Sequence, residues 1–114
     1  MLEETNRLHL LFDFYGKLLK DKQKQYFEMY YQDDLSLSEI AELQEISRQA
    51  VYEHVKRVAN VMEQYESKLG LLTRYEKRRV LLDELQQELS TEGRSESHAC
   101  ALVGKLLALE MDID

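Results

Sequence analysis

Four residues of this chain, Arg48, Gln49, Lys56 and Arg57, combine types and spacing that could do chemistry on another molecule. An arginine grips a guanine edge and a glutamine an adenine edge through paired hydrogen bonds, while lysine and arginine further along a helix hold phosphates. All four lie in the run LSLSEIAELQEISRQAVYEHVKRV from Leu35 to Val58. If Val51 points into a core, a rotation of about 100° per residue puts Gln49, Glu53, Lys56 and Asn60 on the opposite side, flanked by Tyr52 and Arg57. The candidate nucleic-acid contacts are therefore Arg48, Gln49, Tyr52, Lys56 and Arg57. The same residues also fit a plain solvated face over a packing scaffold.

Other chemistries find little support. His9, His54 and His98 are far apart, and His98 and Cys100 sit two residues apart, on different sides of a helix, so no metal site is expected. Cys100 is the only cysteine, which rules out an internal disulfide. Asp33 and Asp34 precede the serine at 36, where acidic residues favour a helix start. No nucleophile, base and glycine-rich loop converge, so neither catalysis nor a cofactor is expected.

The elements that must position these residues are helical. The chain has no proline and four glycines among 114 residues, and it is dense in Leu, Glu, Lys, Gln and Ala, which lose little on entering a helix. Leu8, Leu11, Phe12, Tyr15, Leu18 and Leu19 give helix one over Thr5 to Leu19, and Tyr26, Phe27, Tyr30 and Tyr31 give helix two over about Asp21 to Tyr31. Ser36 with Glu39 three residues later is a capping box opening a short helix from Leu37 to about Leu43. Ser47 caps a long one, in which Val51, Val55, Val58, Met62, Tyr65 and Leu69 keep one seam apolar until Gly70. Tyr75, Leu82, Leu85 and Leu89 mark a helix over Thr73 to Ser90. After a polar break at Thr91 to Ser97, a last helix over roughly Glu96 to Met111 buries Ala99, Leu102, Val103, Leu106 and Leu109.

Ser36 to Val58 reads as a helix-turn-helix: Ala41 is the small residue where two helices cross, and Ile40, Ile46 and Val51 lock the angle. With the tyrosine-rich helix ahead of it, this resembles region 4 of bacterial sigma factors, whose pattern runs S-x-x-E-I-A, a turn, then I-S-R-Q-x-V. The fold class is all-α, a sigma region 4-like helix-turn-helix bundle with a long recognition helix and C-terminal helices. Gln44 and Glu45 stand where Leu and Gly are usual. Glu45 lacks glycine's freedom at positive φ, so a turn of different shape is expected.

Charge argues against non-specific attraction to phosphates: fifteen basic and twenty-two acidic residues leave a net charge of -7. Residues 1 to 70 carry nine basic against thirteen acidic groups and residues 71 to 114 six against nine, so any phosphate-binding surface is a local patch. Arg74, Lys77, Arg78 and Arg79 form the densest positive run. They fit an outer helix face pairing with Glu76, Asp83 and Glu84, or a second phosphate contact. No apolar run approaches the ~20 residues that span a bilayer, and Met1 to Arg7 lacks a secretory pattern, so a cytoplasmic protein without membrane insertion is expected. The domain division is 1–70, holding the helix-turn-helix at 36–58, and 71–114, a helical arm. The seam from Val51 to Leu69 exceeds what a compact helix-turn-helix needs. The arm therefore folds back on it or pairs across a homodimer.

Over nearly its whole length the chain resembles the YlxM proteins. The resemblance is carried by L-F-D-F-Y at Leu11 to Tyr15, K-Q at Lys22 and Gln23, Y-Y-Q-D-D at Tyr30 to Asp34, S-E-I-A at Ser38 to Ala41, S-R-Q-A-V-Y at Ser47 to Tyr52 and Q-Y-E-x-K-L at Gln64 to Leu69. It implies a helical, sigma-region-4-like protein whose gene lies beside that of the signal recognition particle GTPase, with a regulatory or accessory role in that pathway and no catalytic residue. The partners it implies are DNA of its own operon, or the protein or RNA components of the particle. The alternative is a protein-interaction adaptor or helical dimer that binds no nucleic acid.

Overall fold

The computed structural model describes residues 2–91 and 98–111, a set of helices joined by short turns, with no strand among the described residues. The elements are α1 (Leu2–Tyr15), a 3-10 turn (Gly16–Leu18), α2 (Asp21–Phe27) running on through a π-turn (Glu28–Gln32), α3 (Leu37–Gln44), α4 (Arg48–Leu69), α5 (Leu71–Thr91) and α6 (His98–Met111). They form two compact units, Met1–Leu69 and Gly70–Asp114. The polar break after α5 lies almost wholly outside the described residues.

In the first unit, α1, α2 and α3 all pack on α4. Val51, Val55, Val58 and Met62 are buried along one side of α4, as their four- and three-residue steps predict. Over the N-terminal half of that strip, Tyr26, Met29 and Ile40 close a core with Val51 and Val55, and Leu35, Leu37, Ala41 and Ile46 pack around it. Ala41 and the two isoleucines thus sit where a helix-turn-helix needs them.

The C-terminal half departs from the expectation. Leu69 is exposed, and the buried position is Glu66 instead. Tyr15, fully buried, donates its hydroxyl to Glu66 Oε1 at 2.7 Å. A carboxylate can occupy this interior because it is hydrogen-bonded there. Tyr65 is half-buried, its ring 5.9 Å from that of Tyr15. One helical turn earlier, Arg7 grips Glu63 in a two-pronged contact at 2.8 and 2.9 Å, which holds the Glu63 carboxyl below its ordinary range. The seam as far as Glu66 is therefore covered within its own unit, by α2 and α3 toward the turn and by α1 beyond it, while Leu69 stays exposed.

Helix one begins earlier than expected and ends sooner. After Tyr15 the chain tightens into the 3-10 turn, which leaves Leu18 exposed and Leu19 buried. Phe12 stacks on Phe27 at 4.2 Å with rings 6° from parallel, joining α1 to α2. Two residues past the π-turn, Asp34 takes a left-handed φ of 57°, with the Leu35 N–H donating back to the Met29 carbonyl at 3.0 Å. Gly70, at φ 65°, ends α4, as only glycine does without strain.

In the second unit α5 and α6 pack together. Leu72, Tyr75, Cys100, Val103 and Leu107 are buried, while Leu85, Leu102, Leu106 and Leu109 are exposed. The expected stripe of Ala99, Leu102, Val103, Leu106 and Leu109 is therefore rotated, with Val103 alone on the buried side. A helix with apolar residues on nearly every side offers no phase to read.

Removing the Tyr15 hydroxyl leaves the buried Glu66 carboxylate short of a donor. Tyr15→Phe is expected to lower unfolding free energy by about 1.5–3 kcal/mol, read as a shifted urea midpoint. A loss under about 0.5 kcal/mol would show that other groups carry Glu66.

Candidate nucleic-acid interface

The short helix and the long helix are each positioned by a serine. Ser36 Oγ accepts from the Glu39 N–H at 3.0 Å while Glu39 Oε1 accepts from the Ser36 N–H at 2.8 Å, so the capping box forms as the spacing predicts. That second contact holds the Glu39 carboxyl below its ordinary range. At the start of α4, Ser47 Oγ accepts from the Ala50 N–H at 3.0 Å, orienting Arg48 and Gln49 in the first turn.

The turn between the helices keeps the shape that glycine would give, contrary to the sequence expectation. Glu45 adopts φ 56° and ψ 42°, the left-handed conformation. Its N–H turns back to the last carbonyls of α3, and the Ile46 N–H reaches the Ala41 carbonyl at 3.1 Å. The substitution leaves strain in the residue rather than a different turn.

Arg48, Gln49, Tyr52, Lys56 and Arg57 are all exposed, on the sides of α4 turned away from its buried strip. Arg48, Gln49 and Tyr52 line one open cavity of about 520 Å³ together with Leu37. Lys56 continues the row Arg48, Tyr52, Lys56 at four-residue steps, whereas Arg57 falls about 100° further round the helix. The five residues thus form a group of three at the cavity, Lys56 behind it, and Arg57 on the far flank. Gln49 is engaged: its amide nitrogen donates to Glu53 Oε1 at 3.1 Å. This places a carboxylate between Gln49 and Arg57 on the outward row.

Sequence reasoning passed over two features of this surface. Leu37, the first residue of α3, forms a wall of the cavity, and the capping pattern that fixes its position was the signal for it. The second is a ladder on the Arg57 flank: Lys22 Nζ lies 5.7 Å from the centre of the Tyr26 ring, and Tyr26 stacks on His54 at 4.6 Å with rings 5° from parallel. Lys22 also donates to the Gln44 side-chain oxygen at 2.5 Å. His9 lies edge-on to Phe27 at 5.8 Å. Two of the three histidines therefore sit in aromatic packing, and no group of three or more His, Cys, Asp or Glu among the described residues could hold a metal ion.

The local charge is close to balanced. Residues 36–58 carry Arg48, Lys56 and Arg57 against Glu39, Glu42, Glu45 and Glu53, a small cationic row beside acidic neighbours. In the second unit, Arg79 faces Asp83 at 4.0 Å, in line with the paired-face reading of the basic run.

Residues 2–101 match the UPF0122 family, described as "Putative helix-turn-helix protein, YlxM / p13 like". The chain belongs to the UPF0122 family. A UPF0122 protein of Geobacillus kaustophilus is 47% identical over 110 residues, covering 96% of this chain and 100% of the relative. One from Listeria innocua is 53% identical over 90 residues, covering 79% and 82%, and one from Exiguobacterium sibiricum 54% over 86 residues, covering 75% and 81%. Among the described residues, no helix is long and apolar enough to cross a membrane.

Replacing the strained glutamate tests the turn. Glu45→Gly is expected to stabilise the protein by about 0.5–1 kcal/mol, the relief of left-handed strain less glycine's greater unfolded freedom. Thermal unfolding reads the change, and a loss of stability would contradict the left-handed turn.

Proposed function

We propose that this UPF0122 protein is a non-enzymatic, cytoplasmic accessory or regulatory protein of the signal recognition particle pathway, and that its sigma region 4-like helix-turn-helix contacts DNA or RNA through Arg48, Gln49, Tyr52, Lys56 and Arg57. The observation that carries the nucleic-acid reading is the exposed row at the start of α4. A guanidinium, an amide and a tyrosine ring meet at one open cavity beside the N-terminus of α3, and Lys56 stands behind them. Arg48 and Gln49 suit base edges in a DNA major groove. The deep, narrow groove of duplex RNA admits no helix, so against RNA the same residues would serve backbone or loop contacts. The pathway assignment rests on the resemblance to YlxM proteins.

A protein-interaction adaptor is the competing reading, and a specific observation favours it. The helix-turn-helix carries one more acidic than basic residue, and Glu53 sits inside the outward row, bound to Gln49. Such a surface gains little from releasing counterions.

Fluorescence anisotropy with a labelled operon-promoter duplex and with the particle RNA separates the two. Lys56 and Arg57 contacting phosphates predict a slope of log affinity against log salt of about -1.4 to -1.8, reduced by about 0.7–0.9 for each of Lys56→Ala and Arg57→Ala, while Arg48→Ala is expected to cost about 1–3 kcal/mol and relax sequence preference. Glu53→Gln is expected to strengthen binding by about 1 kcal/mol, by removing a charge that repels phosphate. Binding to neither probe, together with salt-insensitive association with the particle's GTPase, would favour the adaptor.

A further inference from the structure

The surface at the start of α4 is recessed, whereas a paired base shows only its edge and has no face to place in a recess. Leu37 of α3 and Arg48, Gln49 and Tyr52 of α4 line one open cavity of about 520 Å³, a size within the roughly 300–1,000 Å³ of small-molecule sites. Its walls differ in kind. Tyr52 is 47% exposed, which leaves ring surface open for stacking, and Leu37 supplies an aliphatic side. The Arg48 side chain has no hydrogen-bond or ion-pair partner among the described residues, so its guanidinium donors are unspent. Gln49 donates its amide nitrogen to Glu53 Oε1 at 3.1 Å. An ionised carboxylate only accepts, so this bond fixes which end of the amide is nitrogen and leaves the oxygen as an acceptor.

Phosphate is a poor occupant of this recess. The N-terminus of α3 could attract an anion, but its own capping box closes it, with the Glu39 carboxylate at that end. Glu53 adds a second carboxylate beside Gln49, and the lining itself holds one cation, Arg48. A neutral, flat group with hydrogen-bonding edges fits these walls better. We propose that the recess takes one unpaired nucleobase, its faces between the Tyr52 ring and Leu37 and its edge toward Arg48 and Gln49. This rests on the nucleic-acid reading of the same row and deepens it: the substrate class is a strand carrying a bulged or looped-out base, not an uninterrupted duplex. Aromatic stacking of splayed bases is how proteins read single-stranded segments, and a base already outside the helix enters without the cost of unstacking. Lys56, one turn or about 5.4 Å further along α4, is the cation available to the adjoining phosphate.

Fluorescence anisotropy of the full chain with labelled hairpins tests the site. The probes are an RNA stem with one bulged adenosine, the same stem with an abasic residue at the bulge, the same stem fully paired, and the DNA counterpart of the first. The abasic probe keeps the distorted backbone and its phosphates and lacks only the base. The bulged adenosine is expected to bind about tenfold tighter than the abasic bulge. Tyr52→Phe keeps the ring and should keep a preference of that order, whereas Tyr52→Leu should reduce it to less than about twofold. Tyr52 is exposed, and far-UV circular dichroism checks that both variants stay folded. Equal binding of the RNA and DNA bulges means that the base alone is held, and a preference for RNA adds a contact to its sugar; both uphold the site. Equal binding of the bulged, abasic and paired probes, or a preference that survives Tyr52→Leu, would overturn the base site while leaving the row as a duplex or phosphate surface. Binding to none of the probes would overturn both readings.

Discussion

The first unit depends on sealing one strip of α4. Val51, Val55, Val58 and Met62 are almost fully withdrawn from water, each side chain contributing about 1.5–3 kcal/mol on burial. With that strip held against α1, α2 and α3, the rotation of α4 about its axis is settled. Arg48, Gln49, Tyr52 and Lys56 then face outward by geometry, whatever they touch. The caps at Ser36 and Ser47 set where each helix begins, and the left-handed residue at Glu45 sets the angle between them.

The second half of the strip is held differently from the first. Near the turn the core is aromatic and aliphatic. Beyond Val58 it passes to Met62 and then to Glu66, joined to Tyr15, with Arg7 and Glu63 at the rim. Apolar packing tolerates sliding, but a hydrogen bond to a buried carboxylate tolerates little, because a displaced acceptor would be left without its donor. Tyr15 and Glu66 therefore fix the register of α1 on α4, while the valines supply most of the burial.

Much of this was legible in the sequence wherever a period and a cap coincide. Ser36 with Glu39, Ser47 ahead of Val51, and Gly70 after Leu69 mark helix ends by local chemistry, and the valine steps mark the inward side of α4. Glu66 was not legible. A glutamate reads as surface until its partner is known, and Tyr15 lies 51 residues away. The phase of α6 was lost for the opposite reason: leucine and alanine on almost every side leave no contrast. Glu45 was misjudged because the tertiary fold imposes a backbone conformation that the residue type disfavours. For the candidate site, the five residues and their exposure followed from helical geometry. The Leu37 wall and the bond from Gln49 to Glu53 depend on neighbours that composition does not reveal.

We propose that the outward row of α4 is the surface that meets nucleic acid. Its most direct test is a two-dimensional NMR titration of the isotope-labelled chain with a mixed-sequence DNA duplex and, separately, with an RNA hairpin of similar length. The account predicts that the largest shift changes fall on Leu37, on Arg48 to Tyr52 and on Lys56 and Arg57, while Val51, Val55 and Val58 move little. Changes confined to α5 and α6, or a spectrum unchanged by either nucleic acid, would contradict it.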